Sequence, residues 1–457
     1  MDEDYDVIVL GTGLKECVLS GIFSIDKKVV LHMDRNKYYG GESASLTPID
    51  EFWKKFTPKK TAEEITALCK KYGKPRDWNI DTVPKLIMAK GKLTHLLIHT
   101  TTDKYLDFQL ADGSYVQKLA NEKTGAGKLH KVPSNAEEAL KSSLMGIFEK
   151  RKFRSFIMHV DQFEENDKKT WKGMDPHKMT MAEIFLHFNL DKNTQDFVGH
   201  ALALYREDSY LTQPYYKTFL AIKLYQRSLD QYGKSPYLYP LYGLGELPQA
   251  FARLSAVYGG TYMLDKPIEE LVMEDGKCVG VKSQGQIARA KMVVCDPSYA
   301  LDRCKKIGDV VRAYCFLDHH IPNTNNSNGV QIIIPQNQVI PRRKSDIYIS
   351  MVSATHNVTA KGYFIATCST TVETATPEDE LKPAIDLLGP CMDKVYHVSP
   401  MYVPVDDGKE SNIFISKSYD ATSHFETTCE DIDAIYERAM GKKFDYSQVK
   451  YQREEQE

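Results

Sequence analysis

A glycine-rich turn that directly follows an apolar run near the start of the chain most constrains its fold. Val7 to Leu10 is uninterrupted and apolar, as in a buried parallel strand, and Gly11 and Gly13 follow with the spacing of the G-x-G-x-x-G dinucleotide-binding motif. Glu16 replaces the third glycine. It places a carboxylate in the first helical turn, where backbone N–H groups and the helix dipole would receive a cofactor pyrophosphate. The motif therefore predicts a dinucleotide-binding type of fold with a damaged cofactor site.

The next residues complete a βαβ unit. Leu14, Val18 and Ile22 recur with helical spacing, and Val29–Met33 has the pattern of a second strand that ends at Asp34. Asp34 follows the glycines by about 20 residues, where nucleotide-binding folds carry the acid that binds a ribose hydroxyl. An acid that merely ends a strand explains Asp34 equally well. We assign Asp34 to the same vestigial cofactor motif as the two glycines.

The strands suited to complete this sheet come much later in the chain. Strand patterns occur at Thr261–Leu264, in a hairpin over Leu271–Val281 and at Lys291–Cys295. Asp275-Gly276 is a strong turn signal within the hairpin. We therefore expect a discontinuous first domain.

The intervening segment has helical periodicity and few strand signals. Helices are predicted over Ala139–Met158, Met181–Phe188, Asp196–Tyr205 and Lys217–Leu229. Later runs predict a mixed sheet and a closing helix, at Gln331–Ile334, Tyr348–Val352, Tyr363–Thr367, Asn412–Ser416 and Asp431–Met440. We predict an α/β domain formed by residues 1–132, 231–310 and 311–445, a smaller all-helical domain over 133–230, and a flexible tail over 446–457.

Composition excludes several classes of function. The chain has 59 Lys and Arg against 62 Asp and Glu, a net charge of -3, which does not favour nucleic acid or an anionic membrane as the main partner. Nine scattered cysteines without C-x-x-C pairing indicate neither a disulfide framework nor a zinc site, and they fit a reducing cytosol. The acidic first residues and the absence of a run of about 18 apolar residues argue against a signal peptide and a spanning helix.

Motifs of common enzymes are absent or incomplete. Gly233-Lys234-Ser235 resembles the end of a P-loop, but Ser228 stands where its first glycine is required. The chain contains no H-E-x-x-H or G-x-S-x-G motif, and its 13 histidines show no ligand spacing. The sequence therefore predicts neither a metal centre nor an activated nucleophile.

A segment rich in tyrosine, proline and glycine, Ser235–Leu254, leads into a short helix. The predicted buried stripe of this helix is Leu247, Phe251 and Leu254, and its polar face is Glu246, Gln249 and Arg253. In the following strand Thr261 and Met263 lie on one side, because side chains alternate. A solvated helix face would explain these residues, but tyrosines and an arginine are also the usual anchors of interfaces.

These residues, together with Asp34–Ser43 and Ser418–Glu426, resemble the Rab GDP-dissociation inhibitors over nearly the whole chain. The Rab escort proteins are the sister family. Both are similar in fold to flavin-binding monooxygenases and amine oxidases, so the resemblance implies an FAD/NAD(P)-binding-like, Rossmann-type domain with a mixed sheet. Those flavoenzymes often carry arginine after the paired glycines, whereas this chain has Glu42 after Gly40-Gly41.

The resemblance implies a cytoplasmic, non-catalytic carrier without a cofactor that cycles transiently onto membranes. As a monomer, it would bind GDP-bound, geranylgeranylated Rab GTPases, slow their GDP release and extract them from membranes in vesicular transport. The implied Rab-binding residues are Tyr39, Glu246, Arg253, Thr261 and Met263. The implied mobile, membrane-facing loop is Gln231, Tyr232, Gly233, Lys234 and Ser235, in which Gln231 stands where many members have a basic residue.

The resemblance also implies a prenyl pocket in the helical domain. A C20 chain gains on the order of 10 kcal/mol on burial, so shielding it requires a cavity and not merely a patch. Residues 144–158 mix methionine and aromatics with a glycine, and small residues recur near 200. The candidates are Met145, Phe148, Phe156, Gly199 and Ala201. An ordinary helical core would explain most of them individually.

Two alternative functions stay open at this level. A flavin oxidoreductase would account for the two glycines of the turn, Asp34 and Gly40-Gly41, although a shared fold does not carry function with it. An escort protein that presents Rab to the prenyl transferase is the other alternative.

Overall fold

Two large sheets organise the protein, whose computed structural model describes residues 4–121 and 126–445. The strands are β1 (Asp4–Leu10), β2 (Val30–Met33), β3 (Ser45–Leu46), β4 (Ile80–Asp81), β5 (Ile87–Met88), β6 (Phe108–Leu110), β7 (Gly113–Asn121), β8 (Ala126–Lys131), β9 (Tyr237–Pro240), β10 (Thr261–Met263), β11 (Glu270–Glu274), β12 (Lys277–Ser283), β13 (Gln286–Cys295), β14 (Cys304–Leu317), β15 (Val330–Ile334), β16 (Ile347–Ser353), β17 (Phe364–Thr371), β18 (Asp393–Pro404) and β19 (Ile413–Ile415).

The α-helices are α1 (Leu14–Ile25), α2 (Ile49–Phe56), α3 (Ala62–Cys69), α4 (Lys92–His99), α5 (Ala136–Lys141), α6 (Ile147–Gln162), α7 (Met181–His187), α8 (Lys192–Asp196), α9 (Tyr216–Tyr232), α10 (Glu246–Val257), α11 (Lys382–Leu388) and α12 (Glu426–Met440). Helix α8 continues into a π-helix over Phe197–Leu202. None of the helices in the described ranges is long and apolar enough to cross a bilayer. The predicted flexible tail, residues 446–457, lies outside the described residues.

The first sheet combines strands from distant parts of the chain. Its order is β10-β2-β1-β13-β12-β11, and β19 pairs with β13 beside this path. Strands β10, β2, β1, β13 and β19 are parallel, whereas β11 and β12 form the predicted antiparallel hairpin. Residues Val7–Leu10 are fully buried, as expected for a parallel strand. Val7 and Val9 pack with residues of α1 and α10, and Ile8 and Leu10 pack with strand residues such as Val281 of β12 on the other face. The chain thus leaves this sheet after β2 and returns to it at β10.

The second sheet is mixed, as predicted. Its order is β18-β14-β17-β16-β15-β7-β8, in which only the β15–β7 pair is parallel. Three predicted runs form β15, β16 and β17. The prediction for Asn412–Ser416 was wrong in its placement, because β19 joins the first sheet through β13.

The segment of the chain between β8 and β9 is helical, with two differences from the prediction. The single helix predicted over Ala139–Met158 is interrupted, because the chain is extended at Ser142 and α6 begins after Gly146. The helix predicted over Asp196–Tyr205 is instead the end of α8 and the π-helix. Helices α7 and α9 lie where the periodicity indicated. Their apolar side chains join those of α1 and α10 in one continuous core.

Candidate functional site

The glycine turn after β1 encloses carboxylates of this chain. Gly11 has a φ of 96°, and a Cβ atom there would collide with Asp296 Oδ2. A Cβ atom at Gly13 would lie 2.5 Å from Glu16 Oε2. Glu16 is only 2% exposed, and its Oε1 accepts a hydrogen bond from the Ser416 hydroxyl at 2.8 Å. The side chain of Glu16 therefore occupies the space next to the first helical turn.

Burial controls the charge of these carboxyl groups. It raises the pKa of Glu16 to about 8, and the neighbouring Asp296 acts in the same direction. Burial also raises the pKa of Asp296 and that of Glu42, the latter against the influence of Arg312. Asp296 was not singled out in the sequence. Its position directly after β13, at the carboxyl end of a parallel strand, is the signal that could have found it.

Asp34 is fully buried at the end of β2 and is already saturated with hydrogen bonds. Its Oδ2 accepts from the backbone N–H and the hydroxyl of Thr12, and its Oδ1 accepts from the N–H of Asn36 and the phenol of Tyr299. Arg35 then stacks on Tyr299, with Cζ 3.7 Å from the ring centroid. The carboxylate of Asp34 thus stabilises the turn itself.

A cavity of about 520 Å³ opens in front of this turn. Carboxyl groups of Glu16, Glu42 and Asp296 line it, with Arg312 and Lys55 also in the wall. A flavin dinucleotide would require its pyrophosphate to lie against Glu16, where the buried carboxyl group already fills the space. The residues present do not fit that cofactor.

Helix α10 has the predicted amphipathic form. Leu247, Phe251 and Leu254 are buried, and the last two pack against Gly21 of α1. Arg253 is exposed, and its guanidinium lies 4.2 Å from the ring centroid of Tyr105. Glu246 is half-buried in the first turn of the helix. The polar side of α10 is thus available to a partner.

Strand β10 forms the outer edge of the first sheet. Thr261 and Met263 are half-buried there, and Met263 packs with Leu31 and Met33. Tyr262 points to the opposite face, where its ring stacks on His32 at 4.3 Å and its hydroxyl donates to Ser20.

The five residues predicted to bind Rab therefore form two groups. Glu246 and Arg253 lie on α10, on the face of the sheet to which Tyr262 points. Thr261 and Met263 face the other side of the edge strand. Tyr39 lies next to this edge, with its ring 6.3 Å from that of Tyr262. The two groups meet only along the rim of the sheet, so they do not form one flat patch.

A groove of about 750 Å³ lies between α5, α6, the π-helix and α9. Its apolar walls include Leu144, Met145, Phe153, Ile157, Leu202 and Leu229. Of the predicted prenyl-pocket residues, Met145 lines this groove. Leu229 and Tyr225 of α9 were missed, although their i, i+4 spacing places them on one helix face.

The other predicted pocket residues lie elsewhere. Phe156 is fully buried against Phe219 and Phe188, with ring centroids 5.7 and 5.6 Å away. Gly199 is small because a Cβ atom there would collide with the phenol of Tyr210. Ala201 is buried in the same core, whereas Phe148 is exposed on the outside of α6. In this structure none of these four side chains lines the groove.

The predicted membrane-facing loop is shorter than expected. Gln231 and Tyr232 form the last residues of α9, and Gly233 ends the helix in the left-handed conformation with a φ of 69°. Lys234 forms an ion pair with Asp112 at 2.6 Å, and Ser235 is buried. Four of the five residues are exposed, so the segment forms a helix end at the surface.

Comparisons with known proteins identify the family to which the sequence is similar. The family model described as GDP dissociation inhibitor matches residues 1–451. The crystal structure of a Rab GDI from Plasmodium falciparum is 45% identical in sequence, with a TM-score of 0.90, and the match covers 97% of this chain and all of that chain.

More distant structures share the fold. An oxidoreductase from Methanosarcina mazei is 13% identical with a TM-score of 0.58, over 94% of this chain and 100% of its own. Putrescine oxidase is 12% identical with a TM-score of 0.50, over 94% of this chain and 91% of its own. At such identities the likeness shows an oxidoreductase-like fold alone, and it agrees with the Rossmann-type first sheet.

Proposed function

The chain belongs to the GDP dissociation inhibitor family, and on this premise we propose that it binds GDP-bound, geranylgeranylated Rab GTPases, slows their GDP release and withdraws them from membranes. The observation that carries this function is the 45% identity to a Rab GDI over 97% of the chain. The proposal includes a cytosolic monomer that returns transiently to membranes. It also keeps the division into a discontinuous α/β domain and a helical domain over 133–230.

The Rab GTPase contacts the rim formed by α10 and β10. Arg253 supports this placement because it is exposed and held against Tyr105, so that little side-chain freedom is lost on binding. Tyr39, Glu246, Thr261 and Met263 extend the contact around the sheet edge. A partner that approaches edge-on reaches both groups, whereas a flat contact on either face reaches only one.

The geranylgeranyl group enters the groove between α5, α6 and α9. Its volume of about 750 Å³ lies within the usual range for ligand sites, about 300–1,000 Å³. The walls are mainly aliphatic and aromatic, which suits a lipid that gains about 0.8 kcal/mol per buried CH₂. Met145 and Ile157 lie in these walls, half-buried, in contact with both the core and the open space.

The protein acts as a regulator without its own redox chemistry. This part of the proposal is supported by Glu16, whose buried carboxyl group occupies the place of a cofactor pyrophosphate. A purified preparation is expected to lack flavin absorbance in the visible range. A yellow preparation that bleaches on reduction would contradict the assignment.

The direct test uses liposomes that carry prenylated Rab loaded with GDP. Addition of the protein is expected to move Rab into the supernatant and to slow the release of a fluorescent GDP analogue. Rab loaded with a GTP analogue serves as the matched control and should stay on the liposomes. Equal binding of prenylated and unprenylated Rab, with no release from the liposomes, would rule the proposed function out.

A further inference from the structure

The outer face of α6 carries large apolar side chains in solvent. Ile147 is 72% exposed, Phe148 is 77% exposed and Met158 is 49% exposed. Ile147, Arg151, Arg154 and Met158 follow each other at steps of three and four residues, so they form one stripe along the helix. Single exposed apolar residues are common, but a group on one helix face marks an interaction site.

The same face is basic although the whole chain is acidic. Arg151 and Arg154 are exposed and form no ion pair within residues 4–121 and 126–445. Glu149 is the one acidic residue in the first three turns of α6. It forms an ion pair with Lys152 at 3.2 Å and accepts a hydrogen bond from the backbone N–H of Asp191. Its charge is therefore compensated inside the protein. The face offers apolar groups and two arginines that form no ion pair with the described residues.

This face borders the groove between α5, α6 and α9. Arg154 belongs both to the outer stripe and to the groove wall, and the next groove residues on the same helix are Phe153 and Ile157. Leu140 of α5, also 77% exposed, lines the same groove. The outer stripe and the groove thus share Arg154, and an exposed apolar side chain also lines the groove.

We propose that the outer face of α6 docks on the surface of an anionic lipid bilayer, with Ile147 and Phe148 in the headgroup region and Arg151 and Arg154 at the lipid phosphates. Apolar residues beside Arg on a surface helix are the pattern of interfacial membrane binding. This inference rests on the proposed function, because docking there turns the groove mouth towards the lipid from which a prenyl group would leave.

The helix end at residues 231–235 is a weaker candidate for the same role. Its basic residue, Lys234, is already paired with Asp112. Tyr232 is its one large apolar group in solvent. The face of α6 has three such groups and two unpaired arginines, so it makes the larger contribution to membrane contact.

The test measures co-sedimentation of the full chain, without Rab, with vesicles of phosphatidylcholine alone or with phosphatidylserine added. We expect binding to the anionic vesicles and a loss of about tenfold in Ile147→Ser/Phe148→Ser and in Arg151→Gln/Arg154→Gln. Raised salt should weaken the wild type more than the arginine variant.

The matched controls are Val405→Ser, an exposed apolar residue elsewhere, and Arg76→Gln/Arg342→Gln, which removes two other exposed arginines. Both should bind like the wild type. Equal binding to the two vesicle types, or unchanged binding of both α6 variants, would overturn the proposal.

Rab binding in solution separates this proposal from the proposed function. The Ile147→Ser/Phe148→Ser variant should bind soluble prenylated Rab as the wild type does, since both side chains lie outside the groove. Loss of vesicle binding with intact Rab binding supports the docking face. Vesicle binding by a protein that fails to bind Rab would refute the proposed function and leave the docking face standing.

Discussion

His200 Nδ1 lies 2.8 Å from Asp346 Oδ2, and both side chains are fully buried. The second ring nitrogen, Nε2, lies 3.2 Å from Asp208 Oδ1. Burial alone would lower the pKa of His200, but the carboxylates of Asp346 and Asp208 outweigh it and raise the pKa to about 10. The charged imidazole thus ties the π-helix to the segment before β16, in the second sheet.

Replacement of His200 by Gln is expected to destabilise the protein more at low than at high pH. The folded pKa is raised above the ordinary value of 6.5, so the stabilisation is complete below that pH and is lost as the pH rises towards 10. Near pH 6 the free energy of unfolding should fall by about 3 kcal/mol, because a buried carboxylate is left unpaired. Thermal unfolding of both proteins across this range measures it. An equal loss at every pH would mean that His200 is neutral.

Replacement of Glu16 by Gln is expected to stabilise the protein at alkaline pH. Because the folded pKa is about 8, the folded state resists ionisation, and stability falls as the pH rises from 4.5 through 8. Relative to the wild type, the free energy of unfolding of the variant should be higher by on the order of 2 kcal/mol near pH 8.5 and little changed near pH 5. Denaturant unfolding at the two pH values tests this. Glu63→Gln, at an exposed position, should show no such difference, and a pH-independent effect of Glu16→Gln would contradict the buried neutral acid.

Replacement of Arg253 by Ala is expected to weaken Rab binding about tenfold without unfolding the protein. The side chain is exposed on α10, so its removal should lower the free energy of unfolding by less than about 1 kcal/mol. The same change removes one of the proposed contacts with Rab. Calorimetric titration with GDP-bound Rab measures the affinity. Arg289→Ala, at an exposed position of β13 paired with Glu274, is the control. A large drop in melting temperature would contradict the surface position.

Replacement of Ile157 by Trp is expected to reduce binding of prenylated Rab at least fivefold, with roughly unchanged binding of unprenylated Rab. The larger side chain fills the groove from a half-buried position and leaves the core intact. Ser155→Trp, on the outer side of the same helix, should bind both forms normally. An equal loss of affinity for prenylated and unprenylated Rab would contradict binding of the prenyl group in this groove. Gly199 is unsuitable for this test, because any larger side chain there collides with Tyr210.

Local patterns in the sequence predicted the first sheet well. The glycine turn, the β1–α1–β2 unit and the hairpin of β11 and β12 depend on residues close together, whose spacing is visible in the chain. The placement of β19 could not be predicted in the same way. Its residues indicate a strand but carry no information about which strand lies beside it.

The candidate site was predicted less completely because it depends on which way side chains point. Phe156 and Ile157 are neighbours of similar character, yet one lies in the core and the other in the groove wall. In an amphipathic helix with apolar residues on more than one side, periodicity cannot separate these faces. Thr261 and Met263 were correctly placed on one side of their strand, but that side turned out to face away from α10.

Asp4 of β1 pairs with Arg289 of β13, so β1 cannot complete its native pairing until β13 has been synthesised. During translation β13 is synthesised about 15 to 60 seconds after β1 at usual elongation rates. During that interval one edge of an apolar strand has no native neighbour and is open to wrong partners. We therefore expect a chain truncated before β13 to aggregate more readily than the full chain, because β1 then lacks one of its two neighbouring strands.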